Sequence, residues 1–157
     1  MKKLDGFMHG INLGGWLSQC VHTKEHYDSF ITEADIRRIA SWGLDHVRVP
    51  VDYELIETKD GDPIEAGYVY IETCIAWCRN HGLNMILDLH KTAGYVFDDQ
   101  RASKDFFDTP ELTERFTNLW LRLAQRFARD KDILIFELLN EIVDPDVYAQ
   151  WNRLAQE

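Results

Sequence analysis

Apolar and polar positions alternate along this chain in a repeated order of short apolar run, amphipathic helix, short apolar run. "FMHGINLGG" is a short apolar segment ending in glycines, "ITEADIRRIASWG" carries helical periodicity and stops at Gly43, and "DHVRVP" is a β-branched run closed by Pro50. The polar turn "TKDGDP" leads into a second helix, "AGYVYIETCIAWCRNHG", stopped by Gly82, and then into the strand "LNMILDLH". A loop, "KTAGYVFDDQRASKDFFD", precedes Thr109-Pro110, which opens the helix "ELTERFTNLWLRLAQRFARD". The run "ILIFELLNEIVDPD", residues 133–146, reads as a buried strand finishing on Asn140 and Glu141. Asp144 and Pro145 then serve as N-cap and first residue of a last helix, "DVYAQWNRLAQE". The near-continuous apolar strands predict an α/β fold, a parallel sheet covered by helices, built from four βα units.

The polar residues decide between two such architectures. Asn12, Arg48, His90, and Asn140 with Glu141 all fall at the C-terminal ends of predicted strands, where a (β/α)8 barrel gathers its active site. An open doubly wound sheet more often carries a glycine-rich phosphate loop after its first strand, and "NLGGWLSQ" opens no helix and has no G-x-G-x-x-G. Whole barrels run to about 250 residues, so the chain reads as the first four units of a TIM barrel, a half-barrel over residues 1–157.

Composition narrows the partners. The 157 residues are 45% hydrophobic and 12% aromatic, enough for one globular domain. The net charge of -10 is spread along the chain and would repel a phosphate backbone, so no nucleic-acid partner is expected. No apolar run reaches the roughly 18 residues of a membrane span, and the start lacks the apolar core of a signal peptide. No membrane partner is expected, and the cytoplasm is the favoured compartment, with secretion after leader removal as the alternative. Cys74 and Cys78 lie four apart on a helix with no second pair, and so read as reduced thiols. His22 and His26 share that spacing without a third ligand; no metal and no cofactor are expected.

The stretches "GINLGGWLSQ", "FITEADIRRIASWGLDHVRVPVDYELIE", "GLNMILDLHKTAGYVFDD" and "IFELLNEIVDPD" resemble the N-terminal half of glycoside hydrolase family 5, most closely its clostridial-type bacterial endoglucanases. The resemblance covers nearly the whole chain. It implies a retaining β-glucanase barrel in which Glu141 is the general acid/base and the nucleophile is a second glutamate on the seventh strand, beyond Glu157. Retaining hydrolysis needs two carboxyl groups about 5–5.5 Å apart, one to protonate the leaving oxygen and one to attack the anomeric carbon. The family's pattern also implies that Asn140 bonds the sugar 2-hydroxyl, His90 donates to a sugar hydroxyl, and Arg48 orients the nucleophile. Lys91 stands where some relatives carry a second histidine.

Other polar residues have structural readings. Glu137 shares a face with Glu141 and is expected as the buried partner of Arg48, while His46 and Asp88 are expected as hydrogen-bonded interior groups. Trp16, Tyr95 and Phe97 fall in loops at the active-site end, where aromatic faces stack on sugars, and Trp16 is a candidate subsite residue alongside Asn12. Trp42, Trp77 and Trp120 lie in helical patterns and are expected in the core. Two functions are consistent with all this. One is a β-1,4 or mixed β-1,3/1,4-glucan hydrolase completed by a C-terminal half-barrel. The other is a non-catalytic chain: a half-barrel folding fragment, or a designed or self-associating (βα)4 module, pairing with a second copy, with residual glucan binding.

Overall fold

A computed structural model describes residues 4–96 and 100–156, leaving out the side chains of residues 100–103. The strands are β1 (Gly10–Asn12), β2 (His46–Asp52), β3 (Asn84–Lys91) and β4 (Leu134–Glu137), all parallel and in the order β1-β2-β3-β4. The helices are α1 (Lys24–Phe30), α2 (Glu33–Ser41), α3 (Tyr53–Ile56), α4 (Glu65–His81), α5 (Gln100–Asp108), α6 (Pro110–Arg126) and α7 (Tyr148–Leu154). Sequential strand order is what a singly wound sheet produces, because each right-handed crossover steps to the next position in one direction.

The period of two along the strands explains the layering. Val47, Val49 and Val51 of β2 and Met85, Leu87 and Leu89 of β3 are all at most 2% exposed. They form one core with Ile36 and Ile39 of α2, Ile71, Cys74 and Cys78 of α4, and Phe116, Leu119 and Leu123 of α6. The alternate residues, Arg48, Asp88 and His90 among them, point to the opposite face of the sheet. One face of the sheet therefore makes the core, and the other carries charge.

Local chemistry sets the helix ends. Asp35 accepts hydrogen bonds from the Thr32 amide and hydroxyl at 3.0 and 2.8 Å, so α2 begins there. Pro110 opens α6 as expected, and Gly82 closes α4 in the left-handed region at φ 70°. The Asp144 side chain accepts from the Asp146 amide, but the turn that follows, Pro145–Val147, is a 3-10 helix before α7 begins.

Several expectations need correction. β2 runs through Pro50 to Asp52. The amide of Leu13 bonds the Arg48 carbonyl and the amide of Asp52 bonds the Leu17 carbonyl, so the even positions of β2 face β1. The β1 ladder ends at Arg48, and the missing amide of Pro50 interrupts nothing. Residues 100–108, expected as loop, form α5, and α1 was likewise not anticipated. Trp42 is 60% exposed rather than buried, because it caps α2 after the last amphipathic turn. Trp77 is half-buried and stacks on Trp16 at 6.2 Å, while Trp120 is buried and donates to the Leu138 carbonyl at 2.9 Å. Cys74 and Cys78 are buried free thiols. Among the described residues no helix is long and apolar enough to cross a membrane.

β1 is anchored from outside its own ladder. Asp45 accepts from the Met8 and His9 amides at 2.9 and 3.0 Å and lies 2.7 Å from His46 Nδ1. Desolvation pushes the Asp45 carboxyl up, but the bonds from His46, His9 and Met8 outweigh it and hold the group at about 2, below its ordinary 3.8. A carboxyl depressed on folding contributes stability above its unfolded value, and that contribution is lost as pH falls through the folded value. The β1 entry should therefore loosen between about pH 4 and pH 2. An NMR titration of the Asp45 carboxyl carbon should give a midpoint near 2, with amide protection at Met8 and His9 falling in parallel. A midpoint near 4 would show that these bonds do not form in solution.

Candidate active site

The charged face of the sheet is organised by one guanidinium. Arg48, half-buried on β2, donates from Nε and Nη2 to the two carboxylate oxygens of Glu137 on β4, at 2.7 and 2.8 Å. Its Nη1 donates to Asn12 Oδ1 at 2.9 Å, and Nη2 donates to Asn140 Oδ1 at 3.0 Å and lies 2.8 Å from Asp88 Oδ2. The Glu137 bond dominates in raising the Arg48 pKa further above its ordinary value, against the effect of burial. Bidentate pairing of this kind fixes orientation as well as charge.

Asp88 is fully buried and its Oδ2 is 2.8 Å from His90 Nδ1. Burial pushes its carboxyl above the usual carboxylate range, against the pull of His90 and Arg48. The Asp88 contact fixes the ring orientation of His90, leaving Nε2 directed away from that contact. His46 is turned toward Asp45 and fills the space above Gly10, where an added Cβ would meet the ring at 2.2 Å. Any side chain at position 10 would displace it.

The Asn–Glu pair is not at a strand end. The β3–β4 ladder closes at Asp88↔Glu137, and Asn140 and Glu141 follow on irregular backbone. Asn140 is 4% exposed, with its amide bonded to the Leu89 carbonyl at 3.2 Å. With Oδ1 taken by Arg48, its Nδ2 is buried without a protein acceptor among the described residues. Glu141 is exposed and sits in the left-handed region at φ 51°. Such a conformation costs about 1–2 kcal/mol for a residue with a Cβ, and the Tyr95 hydroxyl offsets it by donating to the Glu141 carbonyl at 2.7 Å.

Asn12 and His90 thus lie at the C-terminal ends of β1 and β3, and Asn140 and Glu141 just beyond β4. Arg48, expected at a strand end, is instead the third residue of β2, because that strand continues to Asp52. Its long side chain still reaches Asn12 and Asn140 directly and His90 through Asp88. Trp16 is placed elsewhere. It is 1% exposed, donates to the Tyr27 carbonyl at 2.9 Å and stacks on Trp77, so it has no open face for a sugar. The loop position was read correctly, but the residue turns inward between α1 and α4. Tyr95 also turns inward, and Phe97 lies outside the described residues. No spacing in the sequence links Tyr95 to Glu141, 46 positions away, so its contact was not foreseeable.

Among the described residues one group could gather around a metal: His22, Asp52 and Glu54, whose ligand atoms lie within 4.8 Å of one another. The Lys91 ammonium already sits 2.8 Å from Glu54 and 3.6 Å from Asp52, and Ser18 donates to Asp52 at 2.7 Å. The positive charge there is the protein's own, and the group ties the loop after β1 to the ends of β2 and β3. His26 does not join it, being bonded to the Gly15 carbonyl at 2.8 Å.

A parallel sheet with helices on one face and a guanidinium-centred polar cluster on the other defines part of a barrel enzyme site. The sequence matches the cellulase family, glycosyl hydrolase family 5, over residues 8–157, and the chain belongs to that family. It is 46% identical over 155 residues to cellodextrinase A of Ruminococcus flavefaciens, covering 99% of this chain and 46% of that protein. It is 47% identical over 154 residues to endoglucanase C of Acetivibrio thermocellus, covering 96% of this chain and 44% of that protein. A glycoside hydrolase family 5 enzyme from Prevotella bryantii B14 superposes with a TM-score of 0.74 at 25% identity, covering 97% of this chain and 49% of that one. A variant of the same enzyme has been solved with a xyloglucan oligosaccharide bound. The chain therefore spans slightly under half the length of these relatives.

Proposed function

We propose that this chain supplies the acid/base half of a retaining β-glucan hydrolase acting on β-1,4 or mixed β-1,3/1,4 linkages. The observation that carries this reading is the arrangement around Arg48: one guanidinium holds Asn140 and Glu137, while Glu141 stands exposed beside them. In the proposed mechanism Glu141 protonates the leaving glycosidic oxygen and later takes a proton from water. The Asn140 Nδ2 donor bonds the sugar 2-hydroxyl, an interaction that strengthens as positive charge grows at the anomeric carbon. His90 and Asn12 contact other hydroxyls, and Arg48 lends positive potential to the incoming nucleophile. The relatives' names, cellodextrinase and endoglucanase, support a β-1,4-glucan as substrate. In this reading the nucleophile comes from a C-terminal half-barrel, and the two open edges of the four-stranded sheet support such a partner.

The test is to pair the chain with the C-terminal half of a related barrel and follow carboxymethyl cellulose and barley β-glucan. Activity should appear with retained anomeric configuration. Glu141→Gln should lower it on the order of 10²- to 10⁴-fold. Inversion of configuration, or full activity in the Glu141→Gln variant, overturns the assignment.

A further inference from the structure

Glu141 lies beyond the last ladder contact of β4, so no strand hydrogen bond fixes its backbone. Two contacts reach the Asn–Glu pair from β3 and the loop after it instead: the Asn140 amide bonds the Leu89 carbonyl, and the Tyr95 hydroxyl donates to the Glu141 carbonyl at 2.7 Å. The second falls on a residue held at φ 51°, where L side chains are seldom found and where relaxation would swing the carboxyl away. Tyr95 is itself firmly held. Its ring is 1% exposed and packs edge-on against Phe106 at 5.8 Å and Phe107 at 6.3 Å. Its backbone exchanges hydrogen bonds with Thr92 across a turn that needs Gly94 at φ 82°, and there an added Cβ would meet Leu112 at 2.4 Å.

We infer that Tyr95 is the positioning residue for Glu141, holding the strained backbone that aims its carboxyl at the glycosidic oxygen. The inference rests on the reading of Glu141 as proton donor. Tyr95 touches no substrate; it acts by removing the freedom of the donor to drift, and a displacement of about 1 Å can cost 10²-fold in rate. Proton donation matters most when the leaving group is a basic sugar hydroxyl and least when it is an acidic phenol. A positioning fault at the acid therefore discriminates between leaving groups, whereas a general structural fault does not.

The experiment uses the chain completed by the C-terminal half of a related barrel and compares kcat/KM, which reports the glycosylation step, on cellotetraose and on 2,4-dinitrophenyl β-cellobioside. Tyr95→Phe keeps the ring and removes the hydroxyl. It should lose roughly 10- to 100-fold on cellotetraose and stay within about twofold on the dinitrophenyl glycoside. Glu141→Gln should show the same selectivity with a larger loss. Equal loss on both substrates, or no loss on either, overturns the role of Tyr95 while a selective Glu141→Gln result leaves the function reading standing. A Glu141→Gln variant unimpaired on cellotetraose sinks the function reading and this inference with it. Should Tyr95→Phe not fold, Phe106→Leu, which loosens the ring and keeps the hydroxyl, gives the same decision: selective loss supports the role and uniform loss overturns it.

Discussion

The 157-residue polypeptide alone should release no reducing sugar from barley β-glucan above a Glu141→Gln control. Retaining hydrolysis needs a second carboxylate free to attack carbon, and the two carboxylates that Arg48 contacts, Glu137 and Asp88, are committed elsewhere. Both oxygens of Glu137 are engaged by Arg48. Asp88 is fully buried, held by His90 and Arg48, and its carboxyl is pushed toward the neutral form by burial, which makes it a poor nucleophile. The loss of a reacting group of this kind is worth several orders of magnitude in rate. Adding the complementary half-barrel should therefore raise the rate by on the order of 10³-fold or more. Turnover of about one per second, an ordinary enzyme rate, by the polypeptide alone and abolished by Glu141→Gln would place the nucleophile among these 157 residues.

The second large effect concerns association. β1 and β4 are the edges of the sheet, and each offers a row of backbone groups on its outer side to any further strand. All three residues of β1 are exposed, Ile11 is 38% exposed and Phe136 on β4 is 36% exposed. Neither edge strand contains a proline or lysine to discourage pairing. The ion pair of Arg48 and Glu137 lies on the charged face of the sheet, with side chains 22% and 37% exposed, so closing the barrel would desolvate and strengthen it. Light scattering after size-exclusion chromatography should therefore give a mass at least twice 18.4 kDa, as a two-fold pair of half-barrels or as larger assemblies. A monomer of 18.4 kDa that unfolds cooperatively would show that four strands suffice.

The alternation of apolar residues at period two made β2 and β3 legible from the sequence, because each strand has to bury Val47, Val49 and Val51 or Met85, Leu87 and Leu89 against helices. The parallel order followed from the intervening helices, and α2, α4 and α6 were marked by Gly43, Gly82 and Pro110 at their ends. Arg48 and Glu137 could be paired from their strand positions alone, since a buried charge needs a counter-ion. These are local properties, and a linear pattern can carry them.

What the sequence could not carry was set by contacts between distant segments. The direction in which Trp16 points depends on Trp77 and on the Tyr27 carbonyl, and no periodicity in "NLGGWLSQ" encodes either. Lys91 fills the gap between Asp52 and Glu54 because a bulge between Val51 and Asp52 shifts the pairing there, bringing Asp52 opposite Lys91. The end of β4 at Glu137, the left-handed turn at Glu141 and its clamp by Tyr95 arise where one loop packs on another. Thus burial and charge balance, which act on each element separately, let the sequence by itself determine the parallel layers and the residues gathered at their edge. Only the tertiary structure decided which of those residues are held, by which partner and in which direction, because hydrogen bonds are directional and join atoms that the chain brings together only once it is folded.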